Sequence, residues 1–178
     1  MRNLLVVPLV GLLVVGLSAS RAAADSVEVK GPHICCGNCV EAVGAILGAV
    51  EGVSEVKANI KTKIVTFTAK DEKAAKAGVK ALFDGGLFGS ATSGGKQLKV
   101  EVPAAAKGDK ADKIVVKSVH VCCGLCQKGV KAVFKDAKIT FTNPTGPQRT
   151  VTIEAPGLEP SGVLEALRKA GFNGSLDK

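Results

Sequence analysis

The chain has no tryptophan and no tyrosine, and only six phenylalanines, one methionine and two histidines among its 178 residues. Recognition of single-stranded nucleic acid needs aromatic rings on which bases stack, so this composition speaks against it. The formal charge of +8 with 22% charged residues is basic, but not at the level of a polycationic tail. Two histidines leave a Ser/His/Asp triad or a histidine general base no place except where those two residues sit. No Gly-x-x-x-x-Gly-Lys-Ser/Thr phosphate loop occurs either. A non-catalytic protein is expected. Disorder is excluded in turn, because 46% hydrophobic residues suffice to bury a core.

Against these scarcities stand six cysteines, and their placement governs the reading. With an offset of 87, His33-Ile34-Cys35-Cys36-Gly37-Asn38-Cys39 falls on His120-Val121-Cys122-Cys123-Gly124-Leu125-Cys126. Nine of twenty positions are identical between Val27–Ile46 and Ile114–Val133. Val65-Thr66-Phe67 matches Val151-Thr152-Ile153 and Ala81-Leu82 matches Ala166-Leu167, so a duplication accounts for the chain with two single-residue gaps. Every cysteine and both histidines belong to the repeated motif. Three cysteines per copy is an odd number, which disulfides within one copy cannot consume.

The amino terminus reads as an address. Met1-Arg2-Asn3 precedes an uncharged run from Leu4 to Leu17 and small residues ending at Ala22-Ala23-Ala24, the layout of a secretory signal cleaved before Asp25. An exported protein, periplasmic or extracellular, is expected, with contact to a membrane only through that segment, and anchored there if it is not cleaved. Export favours disulfides.

Each copy repeats one succession of periodicities. Short β-rich runs (Val27–Lys30, Ile114–Lys117) lead into the motif. Helical spacing follows it, through Val40, Val43, Ile46, Leu47 and Val50 in one copy and Val130, Val133, Phe134 and Ala137 in the other. Two strands come next, at Gly52–Val56 with Ile64–Thr68, and at Lys138–Thr142 with Thr150–Glu154. A second helix runs over Asp71–Phe83 with Asp71 as its cap, and its counterpart starts at Pro160 and stops at Gly171. Closing strands fall near Leu87–Thr92 and Gly171–Leu176, with an extra one at Gln97–Val102. The expected fold class is α+β: two tandem ferredoxin-like β-α-β-β-α-β sandwiches, each an antiparallel sheet with two helices on one face. The domains are 1–24 as signal, 25–102 as the first unit, 103–113 as linker and 114–178 as the second unit.

The chemistry lies in Cys36-Gly37-Asn38-Cys39 and Cys123-Gly124-Leu125-Cys126, pairs set where a strand ends and a helix starts. Two intervening residues let both sulfurs converge, and the helix N-terminus stabilises thiolate. Paired thiolates favour soft or borderline ions, Cu(I) ahead of Zn(II).

Tandem β-α-β-β-α-β units with Cys-x-x-Cys after the first strand resemble the heavy-metal-associated domain family, which includes copper chaperones and periplasmic mercury-binding proteins. The resemblance implies one ion per domain, held by Cys36 and Cys39 and by Cys123 and Cys126, and an exchange of ions with a donor or acceptor protein. The chain departs from the family loop Gly-Met-Thr-Cys-x-x-Cys: Ile34 and Val121 stand at the Met position as apolar props. Cys35 and Cys122 replace Thr, and His33 and His120 replace Gly. These four are additional candidate ligands, and a Cys3His set would suit zinc. Cys35 and Cys36 are adjacent in an extended segment and are expected to point apart. Two other readings stay open: a thiol-disulfide redox protein, and cysteines that serve only as structural disulfides.

Overall fold

The computed structural model describes residues 25–102, 108–142 and 146–176; the expected signal at 1–24, residues 103–107 of the expected linker and part of the expected turn at 143–147 lie outside the described residues. The first unit comprises β1 (Asp25–Lys30), α1 (Gly37–Gly48), β2 (Val53–Asn59), β3 (Ile64–Ala69), α2 (Glu72–Asp84), β4 (Ser90–Ser93) and β5 (Lys96–Gln97). The second comprises β6 (Ala111–His120), α3 (Gly124–Val133), β7 (Lys138–Thr142), β8 (Gln148–Leu158), α4 (Pro160–Lys169) and β9 (Ser175–Leu176). The sheets run β2-β3-β1-β4-β5 and β7-β8-β6-β9, with the first strand of each unit inside its sheet. All pairings are antiparallel, as the ferredoxin-like expectation required.

Alternation in the strands builds one face of each core. Val27 and Val29 of β1 and Val65, Phe67 and Ala69 of β3 are buried beneath Val43 and Leu47 of α1 and Val79 and Leu82 of α2. Gly78 lets α2 approach closely, since a Cβ there would lie 2.8 Å from the Phe67 ring. Asp71 caps α2, its carboxylate accepting a 2.7 Å hydrogen bond from the Ala74 amide, an interaction worth about 1 kcal/mol. Val163, Leu164 and Leu167 of α4 cover Val151 and Ile153 of β8 in the same way.

Three boundaries differ from expectation. Helix α3 stops at Val133, where Phe134 leaves the helical region (φ −122°, ψ 68°), so Phe134 and Ala137 pack from a loop. The strand expected at Gln97–Val102 is the two-residue β5 at Lys96–Gln97. Strand β6 begins at Ala111, inside the residues read as linker, because it pairs with the long β8 as far as Leu158.

The two units are docked, and the contact is nearly twofold. His33 donates its amide to the Gly171 carbonyl (3.0 Å), while His120 donates to that of Gly86 (3.4 Å). Phe88 likewise donates to Gly171 (2.9 Å) and Asn173 to Gly86 (2.8 Å). Leu87 and Phe172, expected to open the closing strands, instead form an antiparallel bridge between the units. Both side chains are fully buried, each worth about 1.5–3 kcal/mol of transfer free energy. The Asn173 amide also donates to the Phe83 carbonyl (2.9 Å). Such reciprocal pairing, with one patch meeting its own copy, is the form of an isologous dimer interface.

Gly86 and Gly171 make this approach possible. Both have left-handed backbones (φ +85° and +84°), and a Cβ would lie 2.3 Å from the His120 nitrogen or from the Gly31 oxygen, respectively. Gly86→Ala and Gly171→Ala are expected to lower the thermal midpoint well beyond Gly95→Ala. Gly95 is also left-handed (φ +77°) but has open space around its Cβ, so its replacement costs only about 1–2 kcal/mol of backbone strain. Each further kcal/mol shifts the midpoint by roughly 2–4 °C at this size. Equal losses in all three variants would count against the docked arrangement.

Candidate metal centre

Docking brings both cysteine motifs to one place. Cys36 and Cys123 are the extended N-caps of α1 and α3, and Cys39 and Cys126 lie one turn on, facing the core. The first turn of neither helix carries an acidic residue, so nothing neutralises the positive helix N-terminus that faces the sulfurs. Ile34 and Val121 are buried beneath the motif loops, as the prop reading expected. A left-handed residue precedes each motif at equivalent positions, Gly31 (φ 96°) and Ser118 (φ 60°), and turns the chain toward the other unit.

All six sulfurs form one group. Within units, Cys36 and Cys39 are 3.8 Å apart and Cys123 and Cys126 3.7 Å. Between units, Cys35 lies 3.6 Å from Cys123 and 3.4 Å from Cys126, Cys39 lies 3.4 Å from Cys122 and 3.9 Å from Cys126, and Cys36 lies 3.6 Å from Cys123 and 3.9 Å from Cys122. Every cysteine is free. Sequence reasoning placed one separate pair in each unit. The structure instead interleaves the two motifs, because the twofold-like interface runs through them. Cys35 and Cys36, expected to point apart, instead share Cys39 and Cys123 as sulfur neighbours, and Cys35, Cys36 and Cys123 all lie within 4.8 Å of one another.

The histidines join the group. A ring nitrogen of His120 lies within 4.8 Å of the sulfurs of Cys39, Cys122 and Cys126, and one of His33 lies as near to those of Cys35 and Cys126. His120 is fully buried, and neither of its ring nitrogens has a hydrogen-bond partner among the described residues; the same holds for Nε2 of His33. Orphaned buried nitrogens are costly, of the order of 1–3 kcal/mol each, unless a ligand takes them. His33 stacks on Phe172 of the other unit, with ring centroids 4.2 Å apart. Gly129 on α3 makes room for it, since a Cβ there would meet His33 Cε1 at 2.7 Å. Sequence reasoning found both histidines but missed Gly129, Gly86, Gly171 and Lys63. Only the matching positions of Gly86-Leu87 and Gly171-Phe172 in the repeat could have pointed to the interface. The ammonium of Lys63 donates to the Ile34 carbonyl at the base of the loop.

Without a cation the group holds its negative charge unevenly. Cys39 is held well below the usual thiol range, chiefly by the Cys126 sulfhydryl it accepts from. Cys126 is correspondingly raised by donating to Cys39, and burial raises Cys122. Burial also pushes Cys35 up to about 12. Burial opposes ionisation of Cys123, but the Cys126 backbone and the sulfhydryls of Cys35 and Cys36 outweigh it and bring it down to about 7. His33 is lowered by burial and then by Lys63, which keeps its lone pair free to ligate. Like charges this close cannot all ionise unless a cation joins them. The donor set of soft sulfur and imidazole fits Cu(I) or Zn(II). An open cleft of about 460 Å³, lined by Asn38, Glu41, Ala42, Ala45 and Cys122 among others, leads to the group.

Comparison with known proteins agrees with the first motif's chemistry. Residues 32–82 match the family model of the heavy-metal-associated domain. No curated protein matches the chain. Among solved structures, RNA recognition domains 1 and 2 of Sex-lethal from Drosophila melanogaster align at 12% identity over 86% of this chain and 99% of that one, with a TM-score of 0.26. The first unit thus carries the signature of heavy-metal binding through cysteines, and the fold is the α+β sandwich expected from the repeat.

In the reduced, metal-free protein, iodoacetamide is expected to label Cys123 before Cys35, with a rate that climbs through about pH 7 as the thiolate forms and then levels off. Cys35 should label appreciably only at much higher pH. Mass mapping of the labelled peptides over pH 5–9 checks this, and labelling of both at one rate would refute it.

Proposed function

We propose that the protein is an exported, non-catalytic carrier of soft metal ions, Cu(I) ahead of Zn(II), that binds its cargo through the cysteines of both motifs. The observation that carries this reading is the gathering of six free thiols and two hydrogen-bond-orphaned imidazoles at one point beside two helix N-termini. The match of residues 32–82 to the heavy-metal-associated domain supports it for the first unit. The second unit, with the same motif and strand order, is read as a second copy of that domain. Export to the periplasm or beyond rests on the signal-like residues 1–24. Ions would leave by thiolate exchange with a protein partner at the cleft beside Cys122. No helix among the described residues is long and apolar enough to cross a membrane.

A second reading, thiol-disulfide exchange, has one observation in its favour. Cys123, with its lowered pKa, lies within 3.6–3.7 Å of three other sulfurs that could resolve a mixed disulfide. Insulin reduction at a rate comparable to thioredoxin would favour it over metal carriage.

Anaerobic, reduced protein is expected to bind Cu(I), and more weakly Zn(II), in competition with a chromophoric chelator. The combined variant Cys36→Ser, Cys39→Ser, Cys123→Ser and Cys126→Ser should lose that binding by at least 100-fold. Wild-type protein that takes up neither ion, or a variant that binds as well as wild type, would end the carrier reading.

A further inference from the structure

The arrangement of the sulfurs carries a conclusion about how the cargo is held, and it rests on the carrier reading above. Ten sulfur pairs lie between 3.4 and 3.9 Å. Cys35 and Cys122, Cys36 and Cys126, and Cys39 and Cys123 make no such contact, and these three pairs share no member. That is the contact pattern of an octahedron whose three diagonals are those pairs. Its two remaining edges, Cys35 to Cys36 and Cys122 to Cys123, join sequence neighbours.

Distances decide what fits such an array. With metal–sulfur bonds of about 2.3 Å, a linear two-thiolate ion needs sulfurs about 4.6 Å apart, a trigonal one about 4.0 Å and a tetrahedral one about 3.8 Å. The Cys-x-x-Cys pairs, at 3.8 and 3.7 Å, are too close for one linear ion per pair. No four sulfurs are all in mutual contact, so an all-sulfur tetrahedral site is not prepared. Triangles are: Cys35, Cys123 and Cys126 form one (3.4–3.7 Å), Cys39, Cys122 and Cys126 another (3.4–3.9 Å). Each triangle draws on both units. The orphaned His120 stands over the second as a further donor.

We propose that the six cysteines hold Cu(I) as a single polynuclear thiolate cluster shared by the two units, rather than as one ion in each. Trigonal ions on four alternating faces of the octahedron would use every sulfur twice as a bridge. Four Cu(I) then offset most of the charge of six thiolates in a half-buried site, and no cysteine is left without a metal. Each thiol that ligates releases its proton to solvent. The cluster thereby fastens the units together at the interface held by Gly86 and Gly171. Cys35 and Cys122, which stand where the related family has Thr, become bridging ligands on the same footing as the Cys-x-x-Cys pairs.

The test is an anaerobic Cu(I) titration of the full chain, followed by native mass spectrometry and copper X-ray absorption. The expected result is a plateau above two ions per chain, four being the number the faces provide, with a short copper–copper scattering path. A plateau at two or fewer, or any loading without that path, overturns the shared cluster while leaving the carrier reading intact; no uptake at all overturns both. Cys35→Ser with Cys122→Ser is expected to bring the plateau to two or fewer and to remove the copper–copper path. Unchanged loading in that variant, with sheet and helix content intact by circular dichroism, also overturns the proposal.

Discussion

Six sulfurs gathered so that each touches at least three others are a constraint that the rest of the molecule has to satisfy. As thiols they donate to one another only weakly; as thiolates they repel. The group settles between these limits, with charge drawn toward Cys39 and withheld from Cys35, Cys122 and Cys126. A soft cation relieves both difficulties at once, because it replaces the protons and bridges the sulfurs. The two imidazoles obey the same logic, since burial without a hydrogen bond is tolerable where a ligand supplies the missing partner.

Holding that group together requires two small units to meet in one orientation. Each has a core of the size at which stability is marginal. Their contact adds the burial of Leu87, Phe172 and His120, and it closes amide–carbonyl bonds in reciprocal pairs. Gly86 and Gly171 supply the left-handed turns, and Gly129 leaves the space that the His33 ring enters. Ser118 takes, under strain, the left-handed conformation that Gly31 takes freely at the equivalent position. The local strain is borne where the chain turns into the cysteine motif, so the motif's approach to its twin is built into the backbone.

Much of this was legible in the residues. The duplication at an offset of 87, the alternation in Val65–Ala69, the Asp71 cap and the Pro160 helix start are local signals, and each corresponds to an element found in the fold. The eight candidate ligands were all legible too, because cysteine and histidine are scarce and clustered. Less legible were Phe134 and Ala137, whose helical spacing continues past the point where the backbone leaves the helix. Leu87 and Phe172 fall within the stretches read as closing strands; both are core residues, but they bridge to each other across the two units, and periodicity within one unit holds no information about that pairing.

The sequence by itself determined the candidate ligand types and the sandwich fold, since ligand chemistry resides in side chains and hydrogen-bonding periodicity in short stretches of chain. Tertiary structure alone decided that the two motifs share one site. That outcome depends on shape complementarity between surfaces separated by more than eighty residues, and on three glycines whose importance lies in the atoms that approach them. Cysteines that look like two pairs with a spare each are, in three dimensions, six members of one group.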